Sequence, residues 1–82
     1  MSYALEFAPE AREAWRRLDV ALQELVLDEL DRLAGMTGIT ADDRVHDLVV
    51  DSAEAIHYLF LRLTVAGANL VVTNIGHFAR PH

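Results

Sequence analysis

Apolar and polar residues alternate at the start of the chain. In "YALEF", Tyr3, Leu5 and Phe7 fall on one side and Ala4 and Glu6 on the other, the period of two that marks a short strand. Pro9 ends the alternation and suits the first turn of a helix, where its missing N–H would have no partner anyway. From Pro9 to Leu18 the period changes. Ala11, Ala14, Trp15 and Leu18 recur at i, i+3, i+4 and i+7, one face of a helix. Glu10 and Glu13 come early and Arg16 and Arg17 late, matching the helix dipole at both ends. Asp19 is placed to N-cap a second helix, with Leu22, Leu25, Val26, Leu30 and Leu33 as its apolar stripe and Gly35 as its C-cap. A helical hairpin with almost no linker is predicted.

"GMTGITADD" reads as a loop. After it, "RVHDLVV", "AIHYLFLRLTV" and "NLVVTNIGHF" read as three strands, with "DSAE" and "AGAN" as the turns between them. The long middle strand puts Leu59, Leu61, Leu63 and Val65 on one face. Ile56, Tyr58 and Phe60 lie on the other, followed by Arg62 and Thr64. One face is expected to pack the helices and the other to be covered by a partner chain. The expected architecture is a single α+β domain over residues 1–82, ordered β-α-α-β-β-β, its helix hairpin packed on a small antiparallel sheet. The first strand is too short to stand alone and is expected to pair inside that sheet. There is no internal repeat or linker.

Composition narrows the function classes. With 52% hydrophobic residues in 82 positions, the chain is expected to fold, and so apolar a small domain points to an interface with itself or a partner. The absence of cysteine removes disulfides, thiolate metal sites and thiol nucleophiles, and fits a reducing cytoplasm, the expected location. "MSYALEF" has no basic segment before an apolar core, so no signal peptide is expected. Residues 55–78 are the run most like a membrane span, but His57, Arg62, Asn69, Asn74 and the turn-like "AGAN" favour two strands, and no membrane association is expected. Formal charge is −6, with seven basic residues, all arginine, against thirteen acids. That balance argues against tight nonspecific RNA or DNA binding.

The order of elements and a final "NIGH" resemble the RelE/ParE superfamily of bacterial toxins. The matching pieces are "YALEFAPEAREAWRRL", "VLDELDRLAG", "VHDL" opening the sheet, "IHYLF" as the central strand and "TNIGHF" as the last, together nearly the whole chain. The resemblance implies the toxin of a type II toxin–antitoxin pair, with a cognate antitoxin that wraps the domain by a helix and an added strand. RelE-like members cut messenger RNA in the ribosome, and ParE-like members inhibit DNA gyrase. The RelE-like mechanism uses basic residues on the sheet and often a late Tyr or His to grip phosphate, activate the 2′-hydroxyl and stabilise the transition state. Three positions depart from that pattern. Val49 follows Leu48 where the family often has Arg, Ile56-His57 stands where it often has Tyr-Arg, and Phe78 follows His77 where it often has Arg or Lys.

His57 and His77 are the candidate acid and base, since they fall on strands expected to be neighbours, and His46 would join them in a cluster. The bland alternative is that they are polar positions on a partly exposed face. Arg62 and Arg80, with His46, are the candidate RNA-binding residues, because a planar guanidinium can hold phosphate in two places. Arg44 is more simply a surface charge paired with Asp42, Asp43 or Asp47. The helical arginines are expected in i, i+4 pairs such as Glu13–Arg17 and Asp28–Arg32. A zinc site from His46, His57, His77 and His82 has no supporting spacing, and no cofactor or metal is expected. Trp15 lies on the apolar face of the first helix, which favours core packing over a role as a partner anchor. Asp28, Glu29 and Asp31 lack calcium-loop spacing.

Three functional readings follow. The first is a RelE-like toxin, a ribosome-dependent mRNA endoribonuclease with a degenerate site. The second is a non-catalytic, homo-oligomeric or regulatory binding module of the same fold. The third is a ParE-like gyrase inhibitor, which needs no RNA-cutting residues.

Overall fold

The structure is a computed structural model that describes residues 3–35 and 44–82. The loop reading of residues 36–43 lies outside the described residues, as do Asp42 and Asp43. The elements are β1 (Ala4–Phe7), α1 (Pro9–Arg16), α2 (Val20–Ala34), β2 (Arg44–Asp51), β3 (Ala55–Ala66) and β4 (Asn69–Pro81). The α+β class and the β-α-α-β-β-β order agree with the sequence reading. No helix among the described residues is long and apolar enough to cross a membrane, and residues 55–78 form the β3–β4 hairpin.

The four strands form one sheet in the order β1-β4-β3-β2. The expectation of an antiparallel sheet needs correcting. β2, β3 and β4 are antiparallel neighbours, but β1 runs parallel to β4, pairing Leu5 with Leu70 and Phe7 with Val72. β1 is also an edge strand rather than an inner one. The two helices between it and β2 provide the long connection that a parallel arrangement needs. Its ends are fixed by backbone bonds from Tyr3 N–H to Ala34 O (2.7 Å) and from Ala8 N–H to Val72 O (2.9 Å).

Both helices start as the sequence indicates. Pro9 occupies the first turn of α1, and Asp19 sits in extended conformation at the N-cap of α2, though its side chain makes no capping bond. α1 ends at Arg16, two residues before the predicted Leu18. The side chain of Gln23 donates to Trp15 O (3.0 Å) and Trp15 Nε1 donates to Gln23 O (3.4 Å), tying the helices together across their short connection. Trp15 also meets Phe7 edge-on at 6.2 Å, so it packs within the domain. Leu22, Val26, Leu30 and Leu33 of α2 are buried, while Leu25 of the predicted stripe is exposed. The expected i, i+4 ion pairs are replaced by i, i+3 pairs: Arg16 with Glu13, and Arg32 with Glu29.

The helices cover one face of the sheet. Leu59, Leu61 and Leu63 of β3 and Leu70, Val72 and Ile75 of β4 are buried beneath them. The inward residues of β4 change parity between Val72 and Ile75, because Thr73 is an extra residue. Leu63 pairs with Val72 and Arg62 with Asn74, leaving Thr73 as a bulge whose hydroxyl donates to Arg62 O at 3.2 Å. The molecule measures 41 × 23 × 19 Å. Its long axis matches the span of a thirteen-residue strand at about 3.3 Å per residue, whereas the fifteen residues of α2 reach only about 22 Å. The ends of β3 and β4 that carry Ala55 and Pro81 therefore run past the helical layer.

Candidate functional site

β-strand parity sorts the candidate residues onto two faces. On β3, His57 shares the helix-side face with Leu59, Leu61 and Leu63. On β4, the bulge at Thr73 turns His77 to that same face, since His77 pairs with Leu59. The two histidines are diagonal cross-strand neighbours. His57 Nδ1 lies 3.0 Å from His77 Nε2, and the rings stack with centroids 5.2 Å apart and planes 18° from parallel. One nitrogen of this contact must carry a hydrogen and the other a lone pair, so the pair holds one shared proton and cannot keep the bond with both rings doubly protonated. His57 borders a groove of about 370 Å³ between the start of α2 (Asp19, Leu22, Leu25) and the β2–β3 turn (Ser52, Glu54).

The sequence expectation of a three-histidine cluster is only partly met. His46 also faces the helices, but it pairs with Leu61, four residues along β3 from His57. It lies instead beside α2, with Nε2 3.7 Å from Glu29 Oε1, and Glu29 is already engaged by Arg32. His46, Arg32 and Arg44 line a separate depression of about 250 Å³. Reading the arginines of helix and sheet as separate sets concealed this grouping. The packing of α2 beside β2 brings it about, and a single sequence does not state how a helix lies on its sheet. His82 Nε2 contacts Asp51 Oδ1 and Ser52 O, each at 3.0 Å. No group of three potential metal ligands converges among the described residues.

Arg62 and Arg80 lie on the opposite, open face. Arg62 pairs with Asn74 and Arg80 with Ile56. Six residues of β3 separate Arg62 from Ile56, about 20 Å of strand, so the two guanidinium groups start from opposite ends of the face. The sheet itself stands between them and the histidine pair. A phosphate held by either arginine would not meet the His57–His77 proton pair, and the five candidate residues form no single catalytic constellation.

The open face carries a different feature. Val49, Tyr58 and Phe78 form one cross-strand row, with the Tyr58 and Phe78 rings 6.1 Å apart. Val45 and Phe60 extend the apolar surface toward the bulge. Val45, Val49, Phe60 and Phe78 are exposed by 58%, 59%, 43% and 60% respectively, so four large apolar side chains on one face are in water. Period-two alternation in β3 pointed to this surface; the contribution of β4 was hidden by the bulge.

Comparison of the chain with protein-family models, with curated proteins and with solved structures finds no match.

Proposed function

We propose that the chain is a RelE/ParE-like toxin component of a type II toxin–antitoxin pair that acts by binding protein rather than by cutting RNA. The observation that carries this reading is the separation of chemistry by the sheet. The hydrogen-bonded histidines are on one face, the arginines of β3 and β4 on the other. Val49 and Phe78, two of the positions where the resemblance implies basic residues, stand on either side of Tyr58 in an apolar row. An apolar row of that kind excludes water against another apolar surface, and the two arginines of the face stand too far apart, about 20 Å along the strand, to grip one phosphate together. The net charge of −6 acts in the same direction. The β-α-α-β-β-β order supports the family assignment, and the loss of the RNA-binding pattern favours a gyrase-type or purely regulatory protein target over the ribosome.

The His57–His77 bond favours a second reading, ribosome-dependent mRNA cleavage. There the pair would take a proton from a 2′-hydroxyl and return one to the leaving oxygen. Both readings are tested by inducing the chain alone in bacteria and following growth, translation rate and DNA supercoiling. The expected result is growth arrest without early loss of translation, unchanged in His77→Ala and relieved in Phe78→Asp. Rapid arrest of translation that His57→Ala or His77→Ala relieves would overturn the protein-binding reading. Normal growth with abundant folded protein would sink the free toxin and leave the regulatory module.

A further inference from the structure

We infer that the open sheet face is the contact surface of a symmetric homodimer, packed face to face with the two-fold axis running along β3. This deepens the protein-binding reading of that face and does not depend on toxicity.

The argument rests on how residues are distributed across the three antiparallel strands. Each cross-strand row on the open face has one residue from β2, one from β3 and one from β4. The rows read Asp51–Ile56–Arg80, Val49–Tyr58–Phe78, Asp47–Phe60–Gly76 and Val45–Arg62–Asn74. A two-fold axis along β3 lays β2 of one copy over β4 of the other and keeps each row at its own level. Every row then meets its own reverse. Ile56, Tyr58 and Phe60 face their counterparts across the axis, and Val49 faces Phe78. Asp51 faces Arg80, and by symmetry that contact occurs twice. Asp47 faces Gly76, whose missing side chain leaves a depression of about 190 Å³ walled by Phe60, Arg62 and Asn74. The carboxylate entering that depression comes beside Arg62, which also lies on the axis strand and meets its own counterpart, so the Asp47 carboxylate of each copy offsets two opposed guanidinium groups.

Acids on β2 and an arginine on β4 are what this two-fold requires of a single surface that must complement itself, while Arg62 on the axis strand relies on the Asp47 carboxylates for its counter-charge. Asp47, Arg62 and Arg80 have no ion-pair partner within the chain among the described residues, while Asp51 holds His82. Packed sheets lie about 10 Å apart, and with the axis along β3 the two central strands run parallel while the twist of each sheet splays its ends, so the central apolar rows make the closest contact and the charged rows form the rim.

Size sets the expected strength. Three strands at about 4.8 Å spacing and the eight residues of β2 project about 14 by 26 Å, roughly 370 Å². Side-chain relief raises the buried area above this projection, yet it stays toward the low end of the ~800 Å² per partner of a standard interface. The dimer should therefore dissociate on dilution through the micromolar range.

The test is sedimentation equilibrium of the purified chain over that range, with charge-reversal variants. Wild type should shift from monomer to dimer. Arg80→Asp and Asp51→Arg should each weaken association about tenfold, from two opposed pairs turned repulsive. An equimolar mixture of the two variants should associate like wild type, since each like-charge contact becomes an opposite one. Phe78→Asp should remain monomeric while keeping the wild-type circular dichroism, because Phe78 makes no part of the core. A wild-type monomer throughout the range would overturn the proposal and leave the face to a different protein partner. A dimer indifferent to Arg80→Asp and to mixing would overturn it in favour of another surface, such as the β2 edge.

Discussion

One residue on β4 decides which chemistry meets which. Thr73 is the extra residue between Val72 and Asn74, and if it sat in the ladder instead of bulging out, His77 would pair with Tyr58 and project from the open face instead of bonding His57. The parity of β3 was legible: His57 is two residues from Leu59, so its place on the leucine face follows from period two alone. The parity of His77 was not, because nothing in "VVTNIG" announces a bulge. Gly76 shows the same economy of scale. A Cβ there would lie 3.5 Å from Phe60 Cδ2, an ordinary contact. Gly76→Ala should therefore be neutral or stabilise by up to about 1 kcal/mol, since glycine weakens a strand interior, whereas Gly76→Leu should displace the Phe60 ring and lower the midpoint of urea unfolding.

At the scale of elements, the sequence marked every strand and helix to within a few residues, because each carries its own period and its own punctuation. It did not mark how β1 pairs. A four-residue strand with one apolar side carries no signal for parallel or antiparallel pairing, or for edge against centre, and those are settled by where the helices deliver the chain. The β3–β4 turn was legible as "AGAN". Gly67 and Ala68 form a two-residue turn with Gly67 at φ +61° and Ala68 not at positive φ, the pattern of a type II′ hairpin. Space around Gly67 is open, so a side chain there meets no neighbour and the cost is purely conformational. Gly67→Val should destabilise by about 1–2 kcal/mol and Gly67→Asn by less, read from chemical denaturation with an unchanged m-value.

For the whole molecule, the balance is between a thin core and a wide surface. Among the described residues thirteen apolar ones are buried, no polar side chain is, and one sheet face is left bare. Stabilities of about 0.05–0.15 kcal/mol per residue put a chain of 82 residues near 4–12 kcal/mol. Leu61 is fully buried at the centre of the sheet, and Leu61→Ala should remove about 2–5 kcal/mol. That change should leave a measurable unfolded fraction at 37 °C by circular dichroism, unless high protein concentration restores it through association. Such rescue by concentration would link the core and the open face as parts of one stability.

The strand order carries a consequence for the chain as it is made. β4 is the last described element to be synthesised, yet it lies in the interior of the sheet, with β1 on one side and β3 on the other. Until residues 69–72 emerge, β1 has no strand to pair with and the underside of both helices has half its floor. Folding is thus a closing step rather than a growing one. A nascent chain halted before β4 holds an amphipathic helix pair and an unsatisfied hairpin half, the sort of intermediate a chaperone would find, and the fold is committed only when its final strand slides into the gap kept for it.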